Sequence, residues 1–559
     1  MELRSLYFVL FIFIISCQQN DNAYDLVITN AFVFDGLNYY ETEQTLFVRG
    51  NKIAGIEPTE TFSPEAYEIK ELIDANGRFV MPGLIEGHGH YLSYGEGLSQ
   101  LQLDSYDTWN DIVDAVADRA KELPAGTWIE GRGWHQEKWT ETPNQSVQGY
   151  PSHFDLSNRV PDHPVYLTHA SGHAAFANQA AMNAVGLSSE TVAPSGGRIL
   201  KDEKKRNIGV FEENATGVFE NYIRETKKLE EVWEQASSRA ASSCLENGIT
   251  SFQDAGSSVN QIKWFHNKAK AGKLPVRLYL MAFDSLSKLK NNFPEIRYVN
   301  EGDTFLTVRA VKAYFDGALG SRGAWLLEDY ADQEGYFGQN TMEVTDLQQY
   351  AEVCTKHNLQ FCVHAIGDKA NRKTLDLFET NAKFQDDHRW RIEHAQHIDP
   401  KDQPRFSELG VIASMQPIHC TSDAPFVGAR LGEKRAQEGA YVWRNLLDFK
   451  TDLAIGTDVP VESINPFENM YAAITRKRSV DGEAFFSEQN LTRLETLQGY
   501  TAANAHAAFE ETFKGQLKNN YLADIIILDQ NLMKCAIDDI PATKVHTTIL
   551  NGKVVYTYK

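Results

Sequence analysis

Six side chains able to bind a metal or move a proton, His88, His90, Lys312, His364, His394 and Asp458, sit at or near the ends of short apolar runs. The runs read FVMPGLIEGHGH, VRAVKAYFDG, LQFCVHAIGD, WRIEHAQ and LAIGTDVPV. A polar group at the end of a buried strand costs free energy unless a partner or ligand satisfies it. In His88-Gly89-His90 the imidazoles are two residues apart, so on an extended strand both point to one side and can face one ion. His364 and His394 add two neutral nitrogen donors from consecutive runs. Asp458 ends the last run, which closes a ring of strands beside the first; its carboxylate could bind a metal and accept a proton from water. Lys312 lies inside an apolar run, where desolvation lowers the pKa of an ammonium. The neutral amine can react with CO₂, and the resulting carbamate could bridge two divalent ions. The competing reading is an ion pair with Asp316, which shares its inward parity.

Such residues need a scaffold that brings distant strand ends together. Eight β-rich runs can be counted: RFVMPGLIEG, GITSFQDAG, VRLYLMAF, VRAVKAYFDG, LQFCVHAIGD, WRIEHAQHI, VIASMQPI and LAIGTDVPV. Most are separated by helix-like segments, which predicts an α/β fold with a (β/α)₈ TIM-like barrel over residues 79–514 and an active site at the C-terminal strand ends. The first two runs are too far apart for one crossover helix, so residues 92–232 or so are expected to be an inserted subdomain at the barrel mouth. Alternating patterns at 24–78 and 515–559 predict a small β-sandwich built from both chain ends.

The chain has 559 residues and a formal net charge of −22, which argues against nucleic acid and against an anionic membrane surface as partners. Residues 1–17 carry one cation, Arg4, then an apolar stretch ending in Ile-Ile-Ser-Cys17. This resembles a bacterial lipoprotein signal peptide, with lipid on Cys17 holding an exported protein on the periplasmic or cell-surface side of a membrane. The other five cysteines are widely spaced and lack a CxxC, so buried thiols rather than a disulfide framework are expected.

The PGLIEGHGH motif, the buried lysine, the strand-end histidines and the late aspartate together resemble the amidohydrolase superfamily. More narrowly, the chain resembles the branch with N-substituted formamide deformylases. GRGWHQEKW (131–139), SGHAAFAN (171–178), VKAYFDGALGSRGAW (311–325), HAIGDKAN (364–371), SMQP (414–417) and ADIIILD (523–529) extend the likeness over nearly the whole mature chain. The resemblance implies one or two divalent ions, zinc by expectation. His88 and His90 would hold one ion and Asp458, His364 and His394 the other, with carboxylated Lys312 as the bridge. It departs from the pattern at Glu86, where aspartate is usual, at His135 and at Gln253. His173, Arg322, Gln416 and Trp134 are candidate substrate contacts. The implied reaction is hydrolysis of a C–N bond in a small molecule, with Asp458 as general base. An esterase, lactonase or deaminase on the same site and a non-catalytic ligand-binding lipoprotein are the alternatives, and a homodimer is left open.

Overall fold

The computed structural model describes residues 22–136, 139–169, 174–194, 197–226, 228–384, 387–477 and 482–558. Cys17 and His173 lie outside these residues. The chain forms two compact units, Met1–Leu84 with Arg493–Lys559 and Ile85–Thr492.

The larger unit is a mixed α/β fold around a nearly closed, parallel eight-stranded barrel. Its strands are β1 (Leu84–Gly89), β2 (Ile249–Ser257), β3 (Arg277–Ala282), β4 (Leu306–Tyr314), β5 (Gln360–Ala365), β6 (Arg391–His394), β7 (Ile412–Met415) and β8 (Leu453–Ile455). They are hydrogen-bonded in this order. Every residue of β3, β5, β6 and β7 is buried, as expected of parallel strands covered on both faces. That is why β3 and β5 read as largely apolar stretches rather than as alternation, whereas β6 buries Arg391, Glu393 and His394. The ring is drawn together where β8 passes β1: Asp458 N donates to His88 O at 2.7 Å and His90 N to Val459 O at 2.7 Å. Gly456 permits this approach, because a Cβ there would lie 2.4 Å from Glu86 Oε1 and from His88 N.

Between β1 and β2 the described residues include a six-stranded sheet that runs from Leu101–Gln102 to Asn207–Glu213 in sequence. The helix Trp109–Lys121 is started by Thr108, whose hydroxyl accepts from Asp111 N at 3.1 Å. Trp109, Ile112, Val113, Leu167 and Phe176 belong to its apolar core.

In the smaller unit both chain ends enter one eight-stranded sheet, with Phe79–Pro82 antiparallel to Ile525–Leu528. Leu26, Ile28, Leu46, Val48, Ile525 and Ile527 are in its core. The first expected barrel run is therefore split: its front half forms a ladder with Ile525–Leu528, and the barrel strand begins at Leu84. Helix Arg493–Gln498 also belongs to this unit, with Arg493 Nη2 donating to Cys535 O at 2.7 Å. Cys244, Cys354, Cys362 and Cys420 are buried free thiols, while Cys535 is partly exposed. Among the described residues no helix is long and apolar enough to cross a membrane.

Candidate metal centre

The C-terminal ends of β1, β4, β5, β6 and β8 bring the six singled-out side chains to one end of the barrel. His88 is fully buried; its Nε2 faces Asp458 Oδ1 at 3.6 Å and has no hydrogen-bond partner. His90 Nε2 lies 3.2 Å from the same oxygen. The His394 ring is centred 4.8 Å from His88 and 4.4 Å from His364. Ligating atoms of His88, His394 and Asp458 all lie within 4.8 Å of one another. Both ring nitrogens of His364 are buried and make no hydrogen bond, with Nε2 3.7 Å from Asp316 Oδ1.

Lys312 is wholly buried, and its Nζ forms no hydrogen bond, lying 4.9 Å over the Tyr314 ring. The alternative pairing with Asp316 is not made. That carboxylate accepts the amides of Trp325, Ile366 and Gly367 at 2.9, 2.9 and 2.8 Å, and so ties the loops after β4 and β5 together.

The electrostatics follow from burial. Desolvation, reinforced by the Lys312 charge, pushes the His88 imidazole down to about 4. Burial and neighbouring cationic groups press His364 and His394 well below the ordinary histidine range. Burial also lowers Lys312. All three imidazoles are thus neutral donors at neutral pH. Burial opposes ionisation of Asp458, but His419 and His90 overcome it and hold the carboxyl well below its usual value. His419 is pushed up to about 10 despite its burial, because it lies between Asp458 Oδ2 at 3.2 Å and Glu462 Oε1 at 3.3 Å. Two of the strand-end residues are backbone outliers, His394 with φ 74° and Asp458 with φ 61°. Left-handed conformations of this kind cost roughly 1–3 kcal/mol and persist where surrounding structure holds them.

Glu393 and Arg391, which sequence reasoning did not single out, hold these side chains in place together with Glu86. Glu393 Oε2 accepts from His88 Nδ1 at 2.5 Å, which leaves Nε2 to face the cavity. Arg391, also fully buried, braces Glu393 and donates to Gly87 O at 2.8 Å, Ser414 Oγ at 2.8 Å and Gln253 Oε1 at 2.5 Å. Glu86 accepts from Thr457 N at 2.7 Å and from His88 N at 3.2 Å. The available signal was parity in Arg391-Ile-Glu393, two charged residues sharing the inward face of a short strand.

Three candidate substrate contacts have partners within the protein. Trp134 is fully buried in the core of the six-stranded sheet, with its indole N–H donated to Leu167 O at 2.9 Å. Arg322 spends its guanidinium on Asp332, at 3.2 and 2.8 Å, and pins a loop. Gln416 is buried and accepts from His394 Nδ1 at 2.8 Å, so it orients that ring instead of meeting substrate. His173 falls outside the described residues.

The cluster opens into a cavity of about 360 Å³ whose lining includes His90, His364, His394, Asp458, Tyr314 and His419. The donor set suits a divalent ion. His88 Nε2, both His364 nitrogens and Asp458 Oδ1 are buried atoms without a hydrogen bond, at a place where nitrogen and oxygen ligands converge.

Comparison with known proteins agrees with this geometry. The profile of the amidohydrolase family matches residues 71–556. Protein LONG AFTER FAR-RED 3 of Arabidopsis thaliana is 29% identical over 549 residues, 95% of this chain and 91% of that protein. N-substituted formamide deformylase of Arthrobacter pascens is 24% identical, over 95% of this chain and 98% of its own length. An uncharacterized metal-dependent hydrolase from Pyrococcus horikoshii has the same fold, with a TM-score of 0.74 at 24% identity, covering 92% of this chain and 99% of that one. With its family profile matched over residues 71–556 and a ligand cluster at the barrel mouth, the chain belongs to the amidohydrolase family and is a metal-dependent hydrolase.

Proposed function

We propose that the protein hydrolyses a C–N bond in an amide, formamide or cyclic amide, using zinc. One or two ions would be held by His88, His90, His364, His394, Asp458 and a carbamate on Lys312. The observation that carries this reading is the convergence of His88, His394 and Asp458 around buried, unpartnered ligand atoms. The lowered Lys312 pKa supports the carbamate, because only the neutral amine adds to CO₂, forming an N–C bond and releasing a proton. When bound, the ion supplies Lewis acidity, polarising a carbonyl and lowering the pKa of water to about 7.

The chain's own residues do the rest. Asp458 Oδ1, which carries no aligned hydrogen bond, takes the proton of the attacking water and returns it to the departing nitrogen. His419 holds the other Asp458 oxygen and keeps the carboxylate turned into the cavity. Glu393 and Gln416 each accept a ring N–H, from His88 and His394, so that the opposite nitrogen of each ring presents its lone pair.

The test is a metal assay joined to a substrate panel of N-formyl, N-acyl and cyclic amides beside matched esters and lactones. Turnover of C–N substrates should disappear on chelation and return with added zinc. Ester-only turnover, or C–N turnover indifferent to metal removal, overturns the proposal.

A further inference from the structure

The catalytic cavity carries charge that the ligand cluster does not use. Besides Asp458, its lining contains the carboxylates of Asp423 and Glu462, next to the apolar Phe426 and Val461. Among the described residues no lysine or arginine lines it. The one cationic group there is His419, shared between Asp458 and Glu462.

Each of the two extra acids keeps an oxygen in reserve. Asp423 Oδ2 accepts from the Tyr441 hydroxyl at 2.5 Å, and Glu462 Oε1 is used by His419 at 3.3 Å. Asp423 Oδ1 and Glu462 Oε2 accept no hydrogen bond among the described residues. The Tyr441 hydroxyl and the His419 ring thus fix both carboxylates while leaving acceptors for a ligand. Val461 is 65% exposed, so an apolar surface lies beside them at the rim. A second cleft of about 430 Å³ shares Val461 and Glu462 with the cavity and adds Asp104 and a single cation, Arg132. In a partly dry cavity, like charges repel and opposite charges attract far more strongly than in water. The net charge of −22 further draws cations to the molecule.

We propose that Asp423 and Glu462 form the specificity edge of the catalytic cavity, selecting amides that carry a cationic centre beside an apolar group and rejecting substrates with a carboxylate. The proposal rests on the reading of the site as a C–N hydrolase. Asp423 acts on selection alone, since its hydrogen bond goes to Tyr441 and not to any residue of the ligand cluster. The expected substrate class is acylated diamines and other basic amines, and N-acyl amino acids fall outside it.

The experiment uses a matched series with one scissile amide and an aminoalkyl, alkyl or carboxyalkyl substituent of equal length. In wild-type enzyme kcat/KM should fall from cationic to neutral to anionic, by about tenfold or more at each step. Asp423→Asn should shrink the cationic-to-neutral ratio by about tenfold, chiefly through KM, and Asp423→Lys should favour the anionic member over the cationic one. Each ratio is taken within one preparation, so a poorly folded fraction cancels. As a check that needs no variant, alkylammonium ions should inhibit wild-type enzyme competitively at lower concentration than matched carboxylates. Turnover of the anionic member as fast as the cationic one, or a ratio unmoved by Asp423→Asn, overturns the proposal while leaving the hydrolase reading intact. Absence of C–N turnover with every member, neutral one included, removes the parent reading instead.

Discussion

In the terminal sheet the apolar core includes Leu26, Ile28, Leu46, Val48, Ile525 and Ile527, and the polar residues its strands bury, Thr29, Gln44, Thr45, Thr547 and Thr548, carry no charge. In the barrel, strands of similar length bury His88, Lys312, Arg391 and Glu393, each with no solvent exposure. The first set gains stability simply from removing apolar area from water. The second costs desolvation free energy at every residue, offset only partly by pairings such as Arg391–Glu393 at 2.8 Å. Residues that weaken a fold are retained where they do chemistry, so the polar interior marks the working end of the molecule and the apolar one marks support.

The sharpest way to break that contrast is Asp458→Asn. It keeps the shape of the side chain and removes its capacity to take a proton. A fall in kcat of about a thousandfold, with metal largely retained, is expected. Near-wild-type kcat in a metal-loaded variant removes Asp458 as the base.

A smaller effect concerns His397, buried after β6 with both ring nitrogens unpartnered and pushed down to about 3 by burial alone. Its folded pKa lies below the unfolded value of about 6.5. The unfolded chain therefore binds the extra proton, and the stability associated with neutral His397 is complete above about pH 6.5. It is lost as pH falls toward about 3, with a slope approaching 1.4 kcal/mol per pH unit. Relative to His397→Phe, wild type should lose stability on acidification in denaturant titrations. Parallel curves for the two proteins contradict this account.

The smallest effect belongs to the apolar side. Ile527 is 1% exposed, and Ile527→Val should cost about 0.5–1.5 kcal/mol with kcat and KM unchanged. A change in kcat there would mean that the two regions are not separable in the way their compositions suggest.

Most of the barrel strands were legible because a parallel strand covered on both faces is written largely in apolar residues, and the end of such a run marks where a side chain meets the cavity. The first run misled only in length. Only the Pro82-Gly83 pair separates Phe79–Pro82, which forms a ladder with a segment more than 440 positions later, from Leu84–Gly89. Glu393 and Arg391 were harder. A charged pair around one isoleucine is as common on a wet surface as in a dry barrel, and only the fold shows that both point inward. Arg322 and Trp134 show what a local motif leaves out. The partners that satisfy them, Asp332 and the carbonyl of Leu167, sit in other segments, so a polar or aromatic residue in a striking motif looked available when it was already committed.

The β1–β8 seam has a consequence for how the enzyme is made. Glu86 and Thr457 are 371 positions apart, and the segment that completes the ligand cluster, Asp458, lies just beyond the second of them. A ribosome must polymerise most of the chain before His88 has its counterpart, so the ion cannot serve as an early nucleus for the nascent polypeptide. The full ligand set therefore exists only once synthesis has passed Asp458, and a translation product that ends before the seam lacks that carboxylate.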